Sequence, residues 1–335
     1  MGVPMRLVFM GSDPLAVPLL DWCVGPGASV VDLVGVVTGP DRPSGRGQSV
    51  RPNGVKAWTQ GRAIAVLQPE KLDPAAYAAV SALTPDVCLV VAYGKILRDD
   101  FIAIPRLGTL NLHASLLPRY RGASPIQTAV ASAEAETGMS LMRIVRELDA
   151  GPVADVQRVP IGPLDTAAEV EAKLAQEAVT LVARAFPLLA VGELAFREQD
   201  HAAATFCRRH EKADGALDFA APAALLAARI NGLNPWPSAS AEVAGSPVKI
   251  GLADWVDGAD GRAPGTVLGS DPDGLLVATG RGVLRLRRLQ RAGGRMLEAA
   301  EFLRGFPVPE GAVIPSQQMT PLVSASPFPH RRAGS

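Results

Sequence analysis

Asn111 and His113 stand two residues apart in the apolar run Thr109-Leu110-Asn111-Leu112-His113, which continues as Ala114-Ser115-Leu116-Leu117-Pro118-Arg119-Tyr120-Arg121-Gly122. Residues i and i+2 of a strand share a face, so carboxamide and imidazole turn together into one volume while Leu110 and Leu112 turn into a core. An amide donor beside an imidazole suits an oxygen that gains negative charge, as in the tetrahedral intermediate of acyl or formyl transfer. A single histidine in such a run is otherwise an ordinary core residue; the paired Asn111 and the turn-forming Pro118 and Gly122 favour a site. Asp149, ahead of Ala150-Gly151-Pro152, is either a plain turn residue or the third member of the group, a carboxylate that orients the imidazole and holds it protonated. The trio lacks a nucleophile. Ser115 shares the strand face of His113 but sits on no nucleophile elbow, so the attacking group belongs to a substrate, such as an amine.

These groups need a scaffold, and the sequence outlines one. Met5 to Met10 reads as a short buried strand, and Gly11-Ser12-Asp13-Pro14 turns it into a helix with Ser12 or Asp13 as N-cap. Apolar runs recur at Val30 to Thr38, Ala63 to Leu67, Val87 to Ala92 and Thr109 to His113, with helix-compatible stretches between several of them. That alternation specifies an α/β fold, a Rossmann-like doubly wound N-terminal domain. The first turn has only Gly11 and no GxGxxG, so NAD and FAD are set aside. A turn at Asp149 to Pro152 joins two further strands, Met139 to Val145 and Val153 to Val159, and an alanine-rich helix follows from about Thr166 to Leu189 with Asp165 as N-cap. From His210 the texture changes to short β-like runs at Pro247 to Leu252, Gly265 to Leu268, Gly274 to Thr279 and Gly282 to Leu289, with a helix at Ala221 to Ile230. This predicts a smaller β-barrel-like, OB-type C-terminal domain. The expected boundaries are a catalytic domain over residues 1–190, a linker over 191–209, the second domain over 210–313 and a mobile tail over 314–335.

At 335 residues, 48% hydrophobic and 20% charged, the chain is long enough for two domains. It has no apolar run near the roughly 18 residues of a membrane span and no secretory leader, which implies a cytoplasmic protein without a membrane partner. Cys23, Cys88 and Cys207 fall in no CxxC or Cys/His ligand spacing, so neither a disulfide framework nor a metal site is expected. The formal net charge is zero, which argues against indiscriminate polyanion binding but can hide local basic surfaces.

Val90-Val-Ala-Tyr93-Gly94-Lys-Ile96-Leu97, the Asn111 to Gly122 block, Asp149 before Ala-Gly, Asn234-Pro-Trp-Pro237 and Pro264-Gly-Thr266 together resemble the methionyl-tRNA formyltransferases, a branch of the 10-formyltetrahydrofolate transformylase family. The resemblance spans about residues 5 to 310. It implies that Asn111, His113 and Asp149 are catalytic, and that 10-formyltetrahydrofolate, as co-substrate, lies along Tyr93 to Leu97 and Ser115, Leu116, Leu117 and Pro118. The partners it implies are folate and initiator methionyl-tRNA, taken up by a monomer. The trio and the Ser-Leu-Leu-Pro tetrapeptide are shared with glycinamide ribonucleotide transformylases and sugar-nucleotide formyltransferases, so they indicate formyl transfer without naming the acceptor. A formyltransferase for a small amine and a non-catalytic RNA-binding relative are the alternatives.

The loop Thr38-Gly-Pro-Asp41-Arg42-Pro43-Ser-Gly45-Arg46-Gly47-Gln48 resembles the one by which the tRNA enzymes probe the acceptor stem, with Arg42, Arg46, Arg51 and Lys56 as phosphate contacts. It carries Gly39, Gln48 and Ser49 where relatives tend to have Gln and lysines, so it is less cationic. A second basic run, Arg281, Arg285, Arg287, Arg288, Arg291 and Arg295, contains no acid. Alternation in Leu284-Arg285-Leu286-Arg287 would bury the leucines and set the arginines on one face, either as a tRNA-binding stripe through Arg285 and Arg287 or as a solvated strand face.

Overall fold

The computed structural model describes residues 3–44, 49–258 and 261–329. Its first sheet has seven strands: β1 (Met5–Gly11), β2 (Val31–Val37), β3 (Ala65–Leu67), β4 (Val87–Val91), β5 (Thr109–His113), β6 (Glu136–Arg143) and β7 (Val153–Pro160). They lie in the order β7-β6-β5-β4-β1-β2-β3. β3, β2, β1, β4 and β5 run parallel, and β6 turns antiparallel to β5. Helices on both faces bury the inner strands, which is why β4 is buried at every residue and reads as Val-Cys-Leu-Val-Val rather than as an alternation.

Capping chemistry starts the helices. The Asp13 carboxylate accepts the Leu15 N–H, and after one 3-10 turn α1 (Val17–Val24) begins. Asp73 accepts from Ala76 N–H and Pro74 opens α2 (Pro74–Ala82). The long helix α3 runs over Ala167–Ala190. Just before it, Asp165, the expected cap, accepts the Gly162 N–H at 2.6 Å, and the Thr166 N–H and hydroxyl both donate to Glu169. A Thr with Glu three residues on forms the reciprocal half of a capping box.

The chain forms two compact units. The first reaches Arg121 and takes in Gly138–Val159 and Glu171–Ala204; the second takes in Gly122–Thr137, Pro160–Val170 and the chain from Thr205. The expected boundary at residue 190 therefore moves to Ala204: Arg197 and Val153 exchange backbone hydrogen bonds at 2.8 and 2.9 Å, so this part of the expected linker belongs to the first unit.

The second unit is built on an antiparallel sheet of β8 (Ala239–Val243), β9 (Ser246–Val256), β10 (Val267–Asp271), β11 (Gly274–Ala278) and β12 (Val283–Arg291), ordered β8-β9-β12-β11-β10. β8 alternates strictly, Ala239, Ala241 and Val243 buried and Ser240 and Glu242 exposed. The helices α4 (Ala223–Gly232) and α5 (Ala299–Gly305) cover its core through Leu226, Ile230 and Phe302.

The C-terminal segment differs from its expectation as a mobile tail. Ile314 is 1% exposed and its N–H donates to Gly265; Thr320 donates to the Asp214 carboxylate at 2.6 Å; Leu322 packs with Ala131 and Leu233; Val323–Ser324 pairs with Phe206–Cys207. Its Pro- and Ser-rich composition hid these anchors, which are single apolar residues and backbone bonds rather than a periodic face. Residues 330–335 lie outside the described residues.

Candidate active site

β5 delivers the central pair as its alternation requires. Leu110 is fully buried and Leu112 is 3% exposed on the core side, while Asn111 and His113 turn to the opposite face. Among the described residues no hydrogen bond engages the Asn111 carboxamide, so its N–H groups remain available to an incoming oxygen. His113 is held more firmly. Its Nε2 lies 2.9 Å from the Tyr120 carbonyl, an atom that can only accept, so Nε2 carries a hydrogen. Nδ1 faces Asp149 Oδ2 at 3.6 Å, with the imidazole 7% and the carboxylate 16% exposed. The structure thus brings His113 and Asp149 face to face just beyond hydrogen-bond length, across 36 residues of sequence.

The turn that carries Asp149 is unusual backbone. Asp149 has φ +48°, in the left-handed region that non-glycine residues enter at a cost and aspartate enters more readily than most. Gly151 is required by close approach: a Cβ there would stand 2.0 Å from the Arg143 carbonyl oxygen. Two residues to which the sequence reading gave no role hold the turn, Gln199 directly and Arg121 through it. Gln199 Nε2 donates to the carbonyls of Asp149 and Gly151 at 2.8 and 2.7 Å, and Gln199 Oε1 accepts from Arg121 Nη2 at 2.7 Å and Nε at 3.2 Å. Arg121 Nη2 also donates to His201 Nδ1 at 3.1 Å. Burial pulls the Arg121 guanidinium below its ordinary pKa, and the nearby Asp149 charge opposes that shift. No sequence spacing announces this group, because Arg121 and Gln199 are 78 residues apart.

The residues expected along the folate divide into two kinds. Ser115 is fully buried; its hydroxyl donates to the Arg119 carbonyl at 2.6 Å and its carbonyl accepts from Ser140 at 2.7 Å, so its side chain shapes the turn and offers no nucleophile. Leu117 N–H donates to the Ser140 hydroxyl at 3.1 Å, and Leu117-Pro118 is a cis peptide. Leu116 and Pro118 are half-buried. In the other segment Tyr93 and Leu97 are buried while Ile96 is 84% exposed. The Tyr93 hydroxyl is buried without a partner among the described residues, and burial pushes its pKa up to about 12. A cavity of about 240 Å³ lies elsewhere in the first unit, lined by Val37, Leu67, Gln68, Leu72 and Val80 rather than by these residues.

The basic segments behave differently from one another. Arg42 is exposed on a short hairpin of Arg42–Ser44 and Ser49–Arg51, with one distant carboxylate, Glu70, at 3.8 Å. Arg46 lies outside the described residues. The base of this loop is pinned at Gly39, whose N–H donates to Ser12 and whose carbonyl accepts from Asn53 and Gln68, all within 3.0 Å. Arg285 and Arg287 do share a strand face, yet the free cationic stripe expected there is absent. Arg285 reaches Asp254 at 2.7 Å and Asp271 at 3.0 Å, and Arg287 reaches Asp254 at 2.7 Å and Asp273 at 2.8 Å. The acids come from β9, from the last residue of β10 and from the turn that follows it, elements that the one-strand reading did not pair with β12. Arg288 and Arg295 are likewise paired, with Glu298 and Glu301.

Comparison with known proteins bears on both units. A family model described as formyl transferase matches residues 5–186, and one described as formyl transferase, C-terminal domain, matches residues 209–307. A methionyl-tRNA formyltransferase of Stenotrophomonas maltophilia is 42% identical over 301 residues, covering 89% of this chain and 97% of its own. One from Myxococcus xanthus is 42% identical over 308 residues, covering 92% and 97%. Among solved structures, a sugar 3N-formyl transferase, WlaRD, crystallised with dTDP and 5-N-formyl-THF, superposes with a TM-score of 0.61 at 14% identity, covering 85% of this chain and 98% of its own. HypX from Aquifex aeolicus in complex with tetrahydrofolic acid gives 0.58 at 16% identity, covering 94% of this chain and 51% of its own. These two likenesses extend to the fold.

Proposed function

The chain belongs to the formyl transferase family, and on that premise we propose that it transfers a formyl group from 10-formyltetrahydrofolate to the α-amino group of methionyl-initiator tRNA, for translation initiation in the cytoplasm. The acceptor is supported by 42% identity, running through both family domains, to relatives named methionyl-tRNA formyltransferase. The chemistry is supported by one observation above the others: an unengaged Asn111 amide on the strand face that also carries the His113–Asp149 pair.

Attack of the amine on the formyl carbon makes a C–N bond and drives charge onto the formyl oxygen. Asn111 donates to that oxygen, a contact that strengthens as the charge develops. His113 takes part through Nδ1, because Nε2–H is already committed to Tyr120 O. As the bond from the formyl carbon to the folate nitrogen breaks, the amine gives up a proton and the folate nitrogen gains one; Asp149 and His113 Nδ1, facing each other across 3.6 Å, are placed to relay it. A free α-amine has a reference pKa of about 7.7 to 8.0, so a useful neutral fraction exists without a strong base. Much of the rate comes from alignment of two bound substrates. Ser115 to Pro118 and Tyr93 to Leu97 line the folate, and Arg42 with Arg46 meets acceptor-stem phosphates.

The deciding experiment offers labelled 10-formyltetrahydrofolate together with methionine-charged initiator tRNA, methionine-charged elongator tRNA or free small amines. Selective labelling of the initiator species is the expected result. Labelling of a small amine alone would keep the Asn111 chemistry and move the acceptor to another class.

A further inference from the structure

We propose that Gln199 and Arg121 are positioning residues for the reaction, a clamp that holds the Asp149 carboxylate against His113; this rests on the formyl-transfer reading above. The contacts close a ring around the imidazole. His113 Nε2 meets the carbonyl of Tyr120 at 2.9 Å, and the next residue, Arg121, donates to Gln199. Gln199 donates in turn to the carbonyl of Asp149, whose carboxylate faces His113 Nδ1. The two chain segments that touch the two sides of the imidazole are therefore tied to each other through one buried amide.

Gln199 is suited to this by chemistry and by delivery. A carboxamide offers two donors and an acceptor, and here each donor meets a carbonyl while the oxygen takes the guanidinium. The side chain is 92% buried by its 8% exposure, so an unmatched group would be costly. Delivery comes from the backbone exchange between Arg197 and Val153, which sets the segment beside β7 two residues before Gln199. The turn it holds needs holding, since Asp149 occupies the left-handed region, and Gln199 ties its carbonyl together with that of Gly151. Arg121 adds a second link: besides its hydrogen bonds to Gln199, its charge interacts with that of Asp149.

The test is a double-mutant cycle on the full chain with methionyl-tRNA and 10-formyltetrahydrofolate. Gln199→Met keeps length and removes both donors; it should lower kcat roughly 10- to 100-fold while the KM of each substrate stays within about threefold, the signature of a misplaced catalytic group. In an Asp149→Asn background the same change should cost less than about threefold, because the carboxylate it positions is already gone. Losses that multiply in the double variant, or Gln199→Met at wild-type turnover, would overturn the clamp. A readout independent of turnover is the imidazole NMR of the four histidines. In Gln199→Met the ring signals of His113 should move and those of His210 should not. Unmoved His113 signals overturn the proposal. A wild-type chain that formylates nothing would sink the formyl-transfer reading and leave these ring signals to decide the clamp.

Discussion

Two strands carry the same pattern to opposite ends. Asn111 and His113 on β5, and Arg285 and Arg287 on β12, are each a polar pair at i and i+2 that follows one leucine and flanks another. On β5 the amide keeps its hydrogen-bonding capacity and the imidazole is fixed by one carbonyl, beside a carboxylate at 3.6 Å. On β12 the charge is matched: three aspartates from neighbouring elements engage both guanidiniums at 2.7 to 3.0 Å. Spacing on a strand therefore says which side chains share a face, and the partners across that face decide whether the face can act on anything else. A site keeps its donors unpaired, whereas a structural cluster pairs them.

The largest effect expected from this contrast is at Asn111. Asn111→Ala should reduce single-turnover formyl transfer about 100- to 1,000-fold, about 2.7–4 kcal/mol, with folate binding retained. Near-normal turnover would reduce the β5 pair to scaffold. At Arg285 the loss should appear in stability instead. Arg285→Gln leaves the partly buried Asp254 to Arg287 alone and takes the guanidinium from Asp271, and should destabilise the second unit by about 1–3 kcal/mol, read from denaturant unfolding. The salt dependence of tRNA binding should be unchanged; a flattened slope would put this guanidinium on a phosphate and erase the distinction between the strands.

Arg42 sharpens the comparison from the other side, as an exposed arginine whose carboxylate partner stands 3.8 Å away. Arg42→Ala should weaken methionyl-tRNA binding by about tenfold or less and lower the salt slope by about one unit, as the loss of one phosphate contact does, without altering folate affinity. The smallest effect is one of pH. Burial would raise the Asp254 carboxyl, but hydrogen bonds from Arg285 and Arg287 outweigh it and hold its pKa below the ordinary value; Asp214 is likewise held low, against burial, by Arg208, Thr320 and the Glu211 backbone N–H. A lowered folded pKa stabilises above the unfolded value of about 3.9 and loses that contribution as pH falls through the folded one. Acid unfolding of the wild type should therefore steepen below about pH 4, and Asp254→Asn should remove part of that dependence; an identical acid profile would show the β12 cluster to be electrostatically idle.

Much of the first unit was legible because parallel strands buried on both faces and capped helices write local signatures. Met5 to Met10, Val87 to Ala92 and Thr109 to His113 fall where the apolar runs put them, and Asp13 caps as its Pro14 suggests. The site was half legible. Asn111 and His113 follow from alternation, and Asp149 from its turn. Arg121 and Gln199 were not legible, since each looks like an ordinary polar residue near the end of an element and their contact joins distant stretches of chain. The neutralisation of Arg285 left a faint trace, Asp254, on a strand whose register with β12 the sequence does not state. The tail after Ile314 was misjudged because its anchors are few and unspaced.

By itself the sequence determined what short-range rules govern: the alternation that puts Asn111 and His113 on one face, the capped helices, the parallel-sheet class and the residue types fit for formyl transfer. Tertiary structure alone decided which polar groups would be consumed by partners: Asp149 turned toward His113 by a buried amide from Gln199, and Arg285 and Arg287 tied to aspartates of other elements. The physical reason is that a hydrogen bond or ion pair depends on separations of about 3 Å between atoms, and chain folding sets those separations between residues that no local pattern connects.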